Sequence, residues 1–200
     1  LVDVLVHTDQ EVESRRELAA AAQALPASAA GPQERLWLEH FQRYVDTGTV
    51  DPEAFRRQQA AVRERARAAG DAHLLCRLDL NEAALLVEQD AVDEAWAALE
   101  AVDRCAAELG DAGLRAYALG TMGPLAWRVG SLQPPQTYYQ RALAALGERP
   151  ARYKRAWLLD DLGWALVNGG QPTAARGPFE QVLALASQIG DVSFMMRGHE

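Results

Sequence analysis

The side chains best placed to do chemistry lie in ARYKRAWLLDDLGWALVNGG, where Trp157, Asp160, Asp161 and Trp164 stand close together. Two neighbouring carboxylates suggest an acid/base pair. Adjacent helical positions diverge by about 100 degrees, however, so these two would not converge on one bond. The four histidines, His7, His40, His73 and His199, fall in separate segments with no HExxH or Cys/His ligand spacing. Metal binding therefore has no sequence support. Cys76 and Cys105 form no CxxC pair, and they read as two buried, reduced thiols. Gly120-Thr121-Met122-Gly123 lacks the Gly-Lys-Ser/Thr continuation and the preceding strand of a phosphate loop. These residues predict no catalytic site, no metal and no cofactor.

The elements that must carry them are helical. The 200 residues are 49% hydrophobic and 24% charged, rich in Ala, Leu, Arg, Glu and Gln, which lose little side-chain entropy in a helix. A net charge of -8 argues against nucleic acid, which requires a basic face. The local exception is FRRQQAAVRERARAAG, with Arg56, Arg57, Arg63, Arg65 and Arg67, read as a solvated helix face. The opening LVDVLV lacks the basic flank and length of a signal peptide or a membrane span, so a cytoplasmic protein is expected.

A beat of 40 residues organises the chain. Gly-Asp occurs at Gly70-Asp71, Gly110-Asp111 and Gly190-Asp191, all on one 40-residue lattice whose remaining node falls at Arg149-Pro150 to within a residue. Glycine closes a helix in the left-handed conformation and aspartate caps the next, so each pair predicts a joint between helices. Half a period later come second joints: Asp51-Pro52-Glu53, Asp90 with Asp93 and Glu94, Gly130-Ser131 before Pro134-Pro135, and Gly169-Gly170-Gln171-Pro172. Each period thus encodes two helices. Extended backward, the lattice places helices from Pro32 to about Asp46 and from Thr8 to Leu25. Repeats are expected at 30–69, 70–109, 110–149 and 150–189, with partial ones at 1–29 and 190–200, in one domain covering 1–200. Beginning and ending mid-repeat without an initiator Met, the chain reads as a segment of a longer protein.

In the fourth period, Leu159-x-x-Leu162-Gly163-x-x-Leu166 followed by Ala175-x-x-x-Phe179 matches the tetratricopeptide pattern. The third period repeats it as Leu119-x-x-Met122-Gly123-x-x-Ala126, then Tyr139 and Ala142; the second keeps Ala83, Leu86, Ala95 and Leu99. The chain resembles a tetratricopeptide-repeat protein of a longer-helix bacterial type, over about residues 70–190, although the family's usual period is 34 residues and HEAT-like or armadillo-like repeats compete near 40. The resemblance implies an all-α fold, a right-handed α-solenoid of stacked antiparallel hairpins with about 8 to 10 helices. It also implies a non-enzymatic scaffold that holds a peptide or protein segment in a concave groove lined by the first helix of each pair. A homo-oligomer is compatible with it. The alternative is the sensor or oligomerisation region of a bacterial transcription regulator whose DNA-binding domain lies outside this chain.

On the predicted helix around residue 160, Leu159, Leu162, Gly163 and Leu166 form a core stripe, while Trp157, Asp160, Asp161, Trp164 and Asn168 form another at the same spacing. Aromatic rings give large contact area with few rotors and frequently anchor recognition. An aromatic-lined groove is expected from Trp37, Tyr44, Arg77, Asn81, Tyr117, Trp127, Arg128, Trp157, Asp160, Asp161, Trp164 and Asn168. The same face can instead serve contact between repeats. The Lys and Asn that some family members use to clamp a peptide carboxylate are missing, with Asp160 and Trp164, for instance, at their places. A ligand carrying Arg or Lys suits the two aspartates better.

One stretch defies the helical pattern: ALGTMGPLAW, residues 118–127. Gly123 aligns with Gly163 and Ala83 and is expected where paired helices touch. Gly120 and Pro124 have no such reason, since proline inside a helix costs about 3 kcal/mol and glycine about 1 relative to alanine. They predict a kink that re-aims Trp127 and Arg128, and they exclude a straight helix from about 113 to 129. Gly177-Pro178 predicts a second irregularity.

Overall fold

A computed structural model describes residues 52–149 and 151–189. The helices expected at 8–25 and 32–46, with Trp37 and Tyr44, and the joint Gly190-Asp191 lie outside these residues. The described residues are all-helical: α1 (Pro52–Ala69), α2 (Ala72–Glu88), α3 (Val92–Leu109), α4 (Ala112–Leu125), α5 (Pro135–Leu146), α6 (Arg152–Asn168) and α7 (Pro172–Ile189). They fall into two compact units, one ending at Gln89 and the other starting at Asp90.

The helix boundaries follow from local hydrogen bonding. At the first joint Gly70 has φ +66°, and the amides of Gly70 and Asp71 return to the carbonyls of Arg67 and Ala66 at 3.1 and 3.0 Å. The Asp71 carboxylate then accepts from the Leu74 amide at 3.0 Å and opens α2. The same closure recurs at Gly110, after which Asp111 accepts from the amides of Gly113 and Leu114. It recurs twice more, where the Ser131 amide reaches the Ala126 carbonyl at 2.9 Å and the Gln171 amide reaches that of Leu166 at 2.8 Å. The lattice node without Gly-Asp differs. There α5 stops at Leu146 and Gly147, at φ +54°, ends it early.

In the first unit, Val62 and Ala66 of α1 bury against Leu74 and Leu78 of α2, with Leu75 alongside. The arginines of α1 do not form a free basic face. Arg56 bonds Glu82 at 2.9 Å and Arg63 pairs with Asp79, lacing α1 to α2. Arg57 pairs with Glu53 and Arg67 with Glu64 along the helix. Carboxylates thus engage the cluster that most resembled a nucleic-acid footprint.

In the second unit each helix packs against the next in sequence. Longer-range contacts join residues about one period apart. Trp96 meets Tyr138 edge to face at 5.3 Å, Arg141 bonds Asp103 at 3.1 Å, Tyr117 meets Trp157 at 5.5 Å, and Lys154 donates to the Gly113 carbonyl at 3.2 Å. α3 and α5 therefore run parallel, as do α4 and α6. The small residues sit as the alignment predicts. A Cβ on Gly123 would lie within 3.0 Å of the Tyr139 ring, and one on Gly163 within 3.0 Å of Phe179.

Asp103 joins three helices, accepting from Arg115 Nε at 2.9 Å and from Arg141 Nη2 at 3.1 Å, while Arg141 also lies over the Tyr138 ring at 5.6 Å. Asp103→Ala leaves two guanidinium groups without their acceptor. Since both are partly solvated, we expect a loss of about 1–2 kcal/mol in urea unfolding, below the cost of breaking a buried pair. A loss below about 0.3 kcal/mol would mean that water replaces the carboxylate at no cost.

Three sequence expectations need correction. Cys76 is buried, but Cys105 is only half-buried; both are free thiols. Gly120 is a packing residue: a Cβ there would lie within 3.0 Å of both Trp157 and Leu158, so its missing side chain lets α6 approach α4. The straight helix through residue 129 is not formed. α4 ends at Leu125, one residue after Pro124, and 126–130 continue as turns closed by Gly130 at φ +65°. α7 runs through Pro178 without interruption, so the irregularity expected at Gly177-Pro178 is not formed.

Candidate functional site

The residues proposed for one groove are distributed by the fold into several settings. Arg77 and Asn81 lie on α2 in the first unit, both half-buried, with the Asn81 amide nitrogen buried and unmatched by any acceptor among the described residues. The others belong to the second unit. Tyr117 and Trp157 come together with their ring planes at 40°, and Trp157 rests against Gly120. Lys154, which the sequence reading missed, lies 6.0 Å from the Tyr117 ring centroid. Its signal was its singularity, for it is the sole lysine among 20 basic side chains. Trp157 is thus engaged between two first helices.

Further along α6 the surface opens. Trp164 is 41% exposed and touches Phe179 of α7 edge-on at 5.7 Å. Asn168, the last residue of α6, is exposed. The two aspartates have different environments, as their angular separation requires. Asp160 is only 4% exposed, whereas Asp161 is half-buried and close to Tyr139. Burial, and secondarily the Asp161 charge, push the Tyr139 phenol above its ordinary range, so this ring stays neutral. Asp160, expected to line the groove, is instead buried.

Trp127 and Arg128 differ most from expectation. Both lie beyond the end of α4, in the turn that follows Leu125. Pro124 leaves the Gly120 carbonyl without its intrahelical donor, the Ala126 amide still reaches the Met122 carbonyl at 3.0 Å, and the chain then leaves the helix through turns that Gly130 closes. Trp127 is consequently 69% exposed, and Arg128 bonds Asp90 at 2.5 Å, which ties the turn to the approach to α3. Ser131 and Tyr138 share a hydrogen bond at 2.9 Å that holds the other side of the turn.

Among the described residues no group of three His, Cys, Asp or Glu side chains could hold a metal ion, and no helix is long and apolar enough to cross a membrane. What α6 presents is a partly exposed indole beside a buried carboxylate, on a helix whose opposite stripe of Leu159, Leu162 and Leu166 is buried in the core. Such a surface can bind by apolar contact and charge. Compared with known proteins, the sequence matches no family model and no curated protein sequence.

Proposed function

We propose that this chain is a non-enzymatic tetratricopeptide-like scaffold, a solenoid of helix hairpins that holds a peptide or protein segment on the face formed by its first helices. The observation that carries the reading is Trp164, a large aromatic left 41% exposed on that face although glycine and phenylalanine complete the tight contact behind it. Support for the stacked architecture comes from the side-chain contacts spaced about one period apart, because helix hairpins that cannot bury their apolar faces alone must share them with the next hairpin. The half-buried Asp161, one turn from Trp164, favours a segment bearing Arg or Lys beside an apolar anchor.

A displayed library of random peptides, selected on the purified chain, tests this directly. Peptides combining a basic and a large apolar residue should be enriched. Trp164→Ala should weaken their binding at least tenfold, the usual effect of losing an aromatic anchor, while changing stability by only about 1 kcal/mol. Selection of acidic peptides, or binding indifferent to Trp164→Ala, would exclude this face as the site.

A further inference from the structure

The second unit carries opposite charge at its two ends. Because its successive helices are antiparallel, the joints at 90–91, 126–134 and 169–171 gather at one end, and those at 110–111 and 147–151 at the other. At the first end Asp90, Asp93 and Glu94 are exposed, and the only cation in those joints, Arg128, is already bonded to Asp90. Beside them stand the most exposed large apolar side chains of the described residues: Trp127, and Leu132, which is fully exposed. At the opposite end Arg104, Arg149 and Arg152 are exposed and carry no ion pair among the described residues. Lys154 and Arg155 add charge there, bonded to the carbonyls of Gly113 and Gly147. The exposed Glu108 and Glu148 and the half-buried Asp111, whose carboxylate caps α4, only partly offset them.

We propose that the acidic, apolar end of one copy docks on the basic end of a second copy. A chain with net charge -8 should repel itself, so a segregation that leaves one end basic needs a reason. Head-to-tail contact supplies one. Trp127 and Leu132 lose water against the neighbour, and the carboxylates at 93 and 94 face the arginines at 149 and 152. The arrangement is heterologous, so it propagates into a ring or an open chain instead of stopping at a two-fold dimer. It does not depend on the peptide-binding reading, because it uses the ends of the helices and not their faces.

Sedimentation velocity on the full 200-residue chain across a concentration series tests the contact. Reversible growth beyond a dimer is expected, weakened by added salt, since exposed charges are screened over about 8 Å at physiological ionic strength. Asp93→Arg/Glu94→Arg should weaken it about tenfold, Arg149→Glu/Arg152→Glu should do the same, and Trp127→Ala/Leu132→Ser more. Mixing the two charge-reversed chains should restore association, because each then offers the end that the other lacks; a variant that had merely misfolded could not be rescued this way. A monomer at every concentration, association untouched by the reversals, or no recovery on mixing would overturn the proposal.

Discussion

Trp157→Ala lowers the free energy of unfolding by about 3 kcal/mol, within the range for truncating large aromatic side chains, whereas Trp164→Ala costs about 1 kcal/mol. The two indoles lie seven positions apart on one stripe of α6, and sequence alone gives no ground for treating them differently. Their neighbours do. Trp157 fits against the bare backbone at Gly120 and against the Tyr117 ring, and it contributes to a cluster with Leu159, Val182 and Ala186. Removing it leaves a cavity that Gly120, having no side chain, cannot fill. Trp164 has one ring contact among the described residues and is 41% exposed, so its loss mainly returns surface to water. Urea unfolding followed by far-UV circular dichroism measures both. Equal costs would mean that Trp164 is as structural as Trp157, and would remove the principal support for a binding role of this face.

A second large effect is expected where Gly163 meets Phe179. Its Cα faces the Phe179 ring so closely that an added methyl group would lie within 3.0 Å of three ring carbons. An aromatic ring fixed between two helices cannot bend away like the tip of a methionine, so Gly163→Ala must either spread α6 from α7 or force the ring off its rotamer. Overpacking of this kind costs about 1–3 kcal/mol, even though alanine itself favours helix by about 1 kcal/mol. The sign is thus opposite to the propensity expectation. Gly163→Ala/Phe179→Leu should recover at least half of the loss, because the smaller, flexible side chain vacates the space; the two changes are in contact and will not be additive. If Gly163→Ala stabilises the chain, the two helices are less tightly apposed than the structure describes.

Much of the helical layout was legible beforehand. A glycine that closes a helix and an aspartate that caps the next act through hydrogen bonds to residues two to five positions away, so Gly70-Asp71 and Gly110-Asp111 declare their roles without tertiary information. The stripe containing Leu159, Leu162 and Leu166 was legible for a related reason, since helical spacing alone places these residues on one side. Gly123 and Gly163 could be recognised by their matching places 40 residues apart in the sequence.

The candidate site was less legible because its side chains are settled by residues about 40 positions distant. Gly120 looked like a helix breaker in need of a functional reason, and only the approach of Trp157 and Leu158 shows that it makes room. Asp160 and Asp161 are adjacent in sequence, yet one is buried and the other half-exposed, because a step of about 100 degrees around the helix turns them toward different neighbours. Trp127 was assigned to a helix by spacing, but that helix ends at Leu125, leaving the indole in a turn. The sequence by itself determined the glycine-closed joints between most helices and which stripe enters the core, since those depend on backbone hydrogen bonds and a local period. Only the tertiary structure decided which aromatic rings are packed, which carboxylate is buried and where opposite charges collect, since burial is a property of what another helix places against a side chain.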